Sequence, residues 1–402
     1  MKTACCSIDQ SSDRFNKAEW EGRRTLFRIL RPQHAVIVAA ALVFAAIQAA
    51  TQAATVTVTG TEDTIAVDGL VTLREAVTSA NDNANVNADV VAVGVYGTDT
   101  ITFNIAGAGV HTIIPLADLP PITDPVIIDG YTQPGTSSNT LADADNAVLL
   151  IEISGASGNA LRLLYILSGG SGSTVRGLVI NRAPGLDGKN LHLQASNCVI
   201  EGNFIGTDVT GKNPLPNDGL GVSIVENATE NVIKRNLIAF NMSDGIAVAF
   251  NATRNTVSQN SIFSNFDLGI DLGNGGPDDY HGDGVTYNDP GDADAGPNNL
   301  MNFPVLSSAI VLGSRLVVKG TIDTPNPSTV TIQFFANLVP SPGGDPSGYG
   351  EGAVFLGKIR PNKQGRFSTV LPKVPLGTLI SATATDAQGN TSEFAANIPA
   401  SR

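Results

Sequence analysis

The chain has 402 residues, and its 24 Lys and Arg against 37 Asp and Glu give a net charge of −13 at pH 7. The first 53 residues hold seven of the basic side chains and four of the acidic ones, so the remainder is more acidic still. This balance argues against nucleic acids and anionic membranes as partners, which need a basic surface, and it favours solubility or cation binding. The length exceeds what one core usually spans, so the sequence predicts two domains.

Residues 1–53 have the order of an export signal. Four arginines between positions 23 and 31 precede the apolar run AVIVAAALVFAAI (35–47), which is short for a bilayer span and is followed by small residues. We expect cleavage near Ala53, and hence a secreted or cell-surface mature chain without a membrane span. An uncleaved N-terminal anchor is the alternative, and GRRTLFR (22–28) is also compatible with a twin-arginine route.

Internal repetition predicts a solenoid over residues 116–276. NVIKRNLIAFNMSDGIAVAF (231–250) aligns with NTVSQNSIFSNFDLGIDLGN (255–274) at a constant shift of 24 residues, and interrupted copies precede them. Short β-branched runs at this period, punctuated by Gly and Asn, are typical of a parallel β-helix whose turns stack about 4.8 Å apart. Neither the leucine-rich signature nor a helical period is present, which excludes those repeat classes.

Stacked turns place equivalent side chains in columns along the axis. We predict two inward apolar columns and, at a bend, a column of asparagines that stack their amides into a hydrogen-bonded ladder. The predicted columns are Val175, Ile200, Ile233 and Val257, then Ile180, Ile205, Ile238 and Ile262, and the ladder Asn203, Asn236 and Asn260.

The middle residue of a further strand in each turn is predicted to point outward. This row contains Arg162, His192 and Asp271, interrupted by Ser223 and Ala247. The first three are the catalytic candidates if the protein is an enzyme, because parallel β-helices also house polysaccharide-active enzymes. Asp271 lies three turns beyond His192, roughly 14 Å away, which is too far for a concerted triad. We therefore assign no catalytic residue and expect a solvated face, with a binding surface as the alternative.

Residues 277–300 form an acidic linker. DDYHGDGVTYNDPGDADAGPNN (278–299) contains six Asp, three Asn and four Gly without a Lys or Arg. Oxygen ligands at short spacing suit calcium, which takes six to eight contacts. A hydrated linker and a catalytic carboxylate cluster are the alternatives, and no cofactor is required. The predicted calcium ligands are Asp289, Asp292 and Asp294, with Asp271 and Asp283 as contributors and Asn288 or Asn298 completing the shell.

Residues 301–402 predict an Ig-like β-sandwich. Short strand-like segments such as LVVKGTID, TVTIQFFAN and TLISATATD are separated by turns of Pro, Gly, Asn and Asp. Modules of this kind commonly act as spacers or adhesion units.

Several segments resemble the bacterial CSLREA-type β-helix proteins. LVTLREAVTSAND (70–82) keeps LREA, with Thr72 where that motif has serine and without its cysteine. STVRGLVINR (173–182) and VIEGNFIGTDVTGK (199–212) are similar to later blocks, and the similarity extends to about residue 396. The resemblance implies an all-β, right-handed parallel β-helix whose cap, residues 54–115, contains a short helix at LREAVTSAN, followed by a β-sandwich. It implies little about activity.

These patterns together predict an exported β-helix protein with a structural, adhesive or glycan-binding role. Its expected partner is an extracellular glycan or another cell-surface component. The alternative is a polysaccharide lyase, epimerase or hydrolase on the same scaffold. GHG and DPHE runs are absent, and Trp20 lies in the predicted signal, so the mature chain lacks a tryptophan platform for sugars.

Overall fold

The chain folds mostly as β-sheet in the part that the structure covers. The computed structural model describes residues 52–141, 144–185, 190–273, 283–337 and 346–402. The predicted export signal, except for its last two residues, and positions 278–282 of the acidic stretch lie outside these residues. Of the helices in the described ranges, none combines the length and the apolar character needed to cross a membrane.

Three parallel sheets form a β-helix, and from β4 onward each turn adds one strand to each sheet. Sheet A contains β1 (Ala53–Val58), β2 (Val95–Phe103), β4 (Val126–Asp129), β7 (Thr174–Arg176), β10 (Val199–Glu201), β13 (Val232–Lys234) and β16 (Thr256–Ser258). Sheet B contains β3 (His111–Ile113), β5 (Ile151–Ser154), β8 (Leu178–Asn181), β11 (Phe204–Ile205), β14 (Leu237–Ala239) and β17 (Ser261–Phe263). Sheet C contains β6 (Leu164–Ile166), β9 (Leu191–Leu193), β12 (Val222–Ile224), β15 (Ile246–Val248) and β18 (Ile270–Asp271).

The strand register confirms the two predicted apolar columns. Ile200 pairs with Val175 on one side and Ile233 on the other, and the shift of 24 residues links Ile233 to Val257. In sheet B, Ile205 occupies the equivalent place in the second column. Every member of both columns is at most 4% exposed. Burial of each such side chain favours folding by about 1.5–3 kcal/mol, so the columns stabilise the four turns that contain them.

One α-helix in the described chain, α1 (Leu73–Asp82), packs at the N-terminal end of the coil. The Thr72 hydroxyl accepts a hydrogen bond from the Glu75 backbone N–H, and the Glu75 carboxylate accepts one from the Thr72 N–H, which together form a capping box. The flanking strands β1 and β2 already pair in parallel, so sheet A begins within the segment predicted as the cap.

An antiparallel β-sandwich follows the β-helix. In β20, Leu316 and Val318 are buried while Arg315 and Lys319 are exposed, the alternation expected of a sheet with one solvated face. Sheet D has the order β19 (Val305–Leu312), β20 (Arg315–Thr321) and β23 (Arg366–Pro372). Sheet E has the order β22 (Val354–Ile359), β21 (Thr331–Asn337), β24 (Leu379–Thr385) and β25 (Ile398–Pro399).

The sandwich closes the C-terminal end of the β-helix. Phe335 and Phe394 belong to the same buried apolar cluster as the columns of the coil. A side chain at Gly269 would place its Cβ 2.9 Å from the Phe394 ring, so glycine is required where the ring lies against the last turn. Ile262 of β17 exchanges two backbone hydrogen bonds with Gly352. These contacts protect the open end of the coil, which would otherwise expose unpaired backbone groups and core side chains.

Candidate functional site

Asparagine ladders run along the corners of the β-helix. In the predicted ladder, Nδ2 of Asn203 donates to Oδ1 of Asn236 at 3.0 Å, and Nδ2 of Asn236 donates to Oδ1 of Asn260 at 3.0 Å. The same Oδ1 atoms accept the backbone N–H of the preceding asparagine at 3.0 and 2.9 Å. Each buried amide thus satisfies groups on two turns, which gives the ladder a structural role.

Two further ladders were missed by the sequence reasoning. The first joins Asn231 to Asn255, and the second joins Asn217 and Asn241 to Asn265. The 24-residue shift that relates Asn236 to Asn260 also relates Asn231 to Asn255, so the repeat itself contained the signal that could have found them.

Residues of the linker and sandwich terminate these two ladders. Asn298 accepts the Asn255 N–H at 2.9 Å and donates to the Thr391 carbonyl at 3.0 Å. The Glu351 carboxylate accepts both the backbone N–H and the side-chain Nδ2 of Asn265, each at 2.9 Å. A carboxylate therefore replaces the amide that a further turn would supply.

Replacing Asn236 with alanine is expected to lower the free energy of unfolding by about 2–3 kcal/mol. The change leaves the Asn203 N–H and the Ile200 carbonyl without their partners in a buried corner, and each such loss costs about 1–3 kcal/mol. Urea unfolding followed by circular dichroism measures the difference. The matched control is Asn326→Ala, because Asn326 is exposed and makes no side-chain cap hydrogen bond. Equal losses in the two variants would contradict a special role for the ladder.

The row predicted to be exposed on sheet C is buried, which corrects the sequence-based expectation. His192, Ser223, Ala247 and Asp271 are paired in successive strands, and each is at most 1% exposed. The side chains shield one another along the column: the His192 ring lies 5.0 Å from that of Tyr165, and its Nδ1 lies 3.1 Å from the Ser223 hydroxyl oxygen.

Arg162 does not belong to this row. Strand β6 begins at Leu164, so Tyr165 takes the place next to His192 that the repeat alignment gave to Arg162. Arg162 instead lies over the Tyr165 ring, 5.1 Å from its centroid. Asp271 pairs with Ala247, three strands along the sheet from His192. The three catalytic candidates therefore do not converge on one reacting group.

Asp289, Asp292 and Asp294 are brought together in the linker. One carboxylate oxygen from each lies within 4.8 Å of the others. The Asp292 carboxylate is fixed in place because it accepts the Asn302 N–H at 2.7 Å and the Thr324 hydroxyl at 3.0 Å. Burial raises the pKa of Asp292, and the charges of Asp294 and Asp289 raise it further. A bound cation would neutralise this repulsion, and oxygen donors of this kind suit calcium.

The other predicted ligands have different neighbours. Asp271 accepts the Gly284 N–H at 3.0 Å, and Asp283 is exposed. The Asn288 amide donates to the Phe303 carbonyl and accepts the Phe303 N–H, and the Asn298 amide ends a ladder by accepting the Asn255 N–H. Neither amide takes the predicted place in the calcium shell. The reason is that each amide satisfies a backbone group that would otherwise be buried without a partner.

A cleft of about 570 Å³ lies beside two of the three aspartates. Asp292 and Asp294 form one wall, and the loops 324–330 and 386–388 contribute hydroxyl, amide and carboxylate groups to the others. No Lys, Arg or His is among its lining residues in the described chain. The cleft therefore has the chemistry to accept a cation or a ligand rich in hydroxyl groups.

Two buried carboxyl groups lie close to Asp271. Burial, and then the charge of Asp271, raises the pKa of Glu393 to about 8. Burial also raises the pKa of Asp244 well above its ordinary value, with Asp271 and Asp267 adding to the effect. This part of the junction thus favours protonated carboxyl groups.

No protein-family model and no curated protein matches the chain. The CSLREA resemblance accordingly stays a prediction.

Proposed function

We propose that the protein is an exported β-helix protein with a structural, adhesive or glycan-binding role at the cell surface. The closure of the coil by the sandwich is the observation that carries this proposal. Phe335 and Phe394 complete the core of the last turn, and Glu351 completes a ladder. The β-helix and the sandwich therefore share one core and together offer a continuous outer surface to a binding partner. The separation of Arg162, His192 and Asp271 further favours this role over polysaccharide cleavage.

The export part of the proposal rests on the order of charged, apolar and small residues in positions 1–53. N-terminal sequencing of the protein recovered outside the cell tests it. A first residue close to position 54 supports cleavage near Ala53, whereas a first residue before position 35 would rule it out.

For glycan binding we place the ligand in the cleft beside Asp292 and Asp294. Carboxylate, amide and hydroxyl groups on its walls suit hydrogen bonding to sugar hydroxyls, and Asn326 and Gln388 are exposed lining residues. We expect the mature chain to be retained on a panel of immobilised bacterial and host polysaccharides. The double variant Asn326→Ala, Gln388→Ala should lose retention about tenfold, since two hydrogen bonds of about 0.5–1 kcal/mol each together contribute about 1.4 kcal/mol, which is a tenfold change in affinity.

The matched control for the cleft is the exposed residue Glu226, changed to alanine, because it lies on the β-helix away from the cleft lining. Equal retention of the double variant would refute the placement in the cleft. Retention of no polysaccharide at all would leave only the structural and adhesive roles.

We further propose that Asp289, Asp292 and Asp294 hold calcium and brace the junction. If calcium binds only the folded state, the free energy of unfolding should rise by about 2.7 kcal/mol at a hundredfold excess over the dissociation constant. Thermal unfolding in chelator and in millimolar calcium measures this change.

Asp294→Asn is the informative variant for calcium. Asp294 is exposed, and the two side-chain hydrogen bonds that fix Asp292 do not involve it, so the change removes a ligand with little other loss. We expect the calcium-dependent shift to shrink strongly in this variant and to persist in Glu226→Gln. The same midpoint in both buffers for the unmodified protein would identify the segment as a hydrated linker.

A further inference from the structure

A buried glutamate of the sandwich holds the last turn of the β-helix against the acidic linker. Glu393 is 2% exposed. Its Oε1 accepts the Leu272 N–H at 3.1 Å, directly after β18, and its Oε2 accepts the Thr286 N–H at 3.0 Å. One carboxyl group thus joins three segments of the chain: the coil, the linker and the sandwich.

Other carboxylates face this group from the coil. Asp271, 1% exposed, precedes Leu272 in the chain and is the charged side chain that acts on Glu393. Asp244, also 1% exposed, lies one turn earlier and interacts with Asp271 and Asp267. Among the ion pairs of the described residues, neither Glu393 nor Asp244 has a cationic partner. A carboxyl group that is removed from water, has no cationic partner and lies near another carboxylate, as Glu393 and Asp244 do, favours retention of its proton.

We propose that Glu393 makes the junction between β-helix and sandwich sensitive to pH. The protonated carboxyl keeps lone pairs on both oxygens for the Leu272 and Thr286 N–H donors while it carries no charge. When the proton leaves, the two N–H donors still favour the carboxylate, but its removal from water and the nearby charge of Asp271 outweigh them and destabilise the folded junction. The junction is therefore tight in acid and loosens as the medium becomes alkaline. This inference stands apart from the proposed calcium site and surface role.

The direction follows from the pKa of Glu393, which is raised from 4.5 to about 8 by burial and then by Asp271. The folded state keeps a proton that the unfolded chain releases above about pH 4.5. The contribution to stability is therefore complete below that pH and is lost as the pH rises toward 8. The unfolding equilibrium constant rises by up to tenfold for each pH unit across this window. The total rise is on the order of a thousandfold.

The test is urea unfolding of the full purified protein between pH 5 and 9. We expect the unfolding equilibrium constant to rise steeply in the unmodified protein, to rise much less in Glu393→Gln, and to follow the unmodified profile in Glu226→Gln. Hydrogen exchange provides a local readout: after the intrinsic pH dependence is removed, the Leu272 and Thr286 amides should open more with pH than the Ile200 and Ile233 amides. A profile unchanged by Glu393→Gln would overturn the proposal.

A carboxyl ¹³C titration of the unmodified protein keeps the test decisive if Glu393→Gln does not fold. A Glu393 midpoint above about 6.5 supports the proposal, because the raised pKa then exists in the native state. A midpoint at or below the ordinary value of 4.5 overturns it.

Discussion

Replacing Glu351 with alanine is expected to lower the free energy of unfolding by about 4 kcal/mol. Glu351 is 4% exposed, and its carboxylate accepts the backbone N–H and the Nδ2 of Asn265 and the backbone N–H of Ser264. Alanine would remove the acceptor of two buried N–H groups of Asn265 and of the part-buried Ser264 N–H. Hydrogen bonds to a charged group contribute about 1.5–3 kcal/mol each, and the three losses are not fully additive because the groups are neighbours.

Denaturant unfolding with a common slope measures the loss. Glu351→Gln should lose less than alanine, because one oxygen remains to accept from Asn265 while the new amide faces the Ser264 N–H. Glu226→Ala, an exposed glutamate on the coil, should change the free energy of unfolding by less than about 0.5 kcal/mol. A Glu351→Ala protein within about 1 kcal/mol of the unmodified one would show that the ladder does not need this acceptor.

Replacing Phe394 with alanine is expected to cost about 3–5 kcal/mol, the usual range for a buried phenylalanine. The side chain is 3% exposed, and its ring lies 5.4 Å from that of Phe335 at an interplanar angle of 78°. Gly269 and Gly350 have no side chains, so the ring fits closely between them. Truncation would therefore leave a cavity at the end of the coil that its neighbours cannot readily fill.

The measurement is again equilibrium unfolding, with Phe266→Ala as the matched control. Phe266 is a phenylalanine of the last coil that is 65% exposed, so its truncation should have little effect. Phe394→Leu, which keeps much of the volume, should lose less than Phe394→Ala. The Phe394→Ala loss should appear in a single transition if the sandwich caps the coil. A separate transition of the sandwich, with the β-helix unaffected, would show that the two parts fold independently.

Both predictions concern the same property, namely that the C-terminal sandwich completes the β-helix. The acidic linker between them also makes hydrogen bonds that stabilise the junction. Asn298 extends a ladder into the linker, and Asn302 accepts the Asp289 N–H and donates to the carbonyls of Asp289 and Asp323. Any calcium at Asp289, Asp292 and Asp294 would thus be bound by a segment that is already anchored on both sides.

The sequence by itself determined the architecture of the coil, because neighbours in a β-helix are related by a repeat that can be read along the chain. The shift of 24 residues predicted that Ile233 pairs with Val257 and that Asn236 lies next to Asn260, and both contacts are present. The three clustered aspartates could be identified for a similar reason, since Asp289, Asp292 and Asp294 are within six positions of one another.

Only the tertiary structure decided the surroundings of these elements. The start of β6 at Leu164 put Tyr165 rather than Arg162 beside His192, a register that depends on the path of the preceding loop. Glu351 lies 86 residues from Asn265, and Glu393 lies 121 residues from Leu272. No local period relates residues so far apart. Their contacts arise because the open end of the coil needs hydrogen-bond acceptors and apolar cover, and the folded sandwich brings both to it.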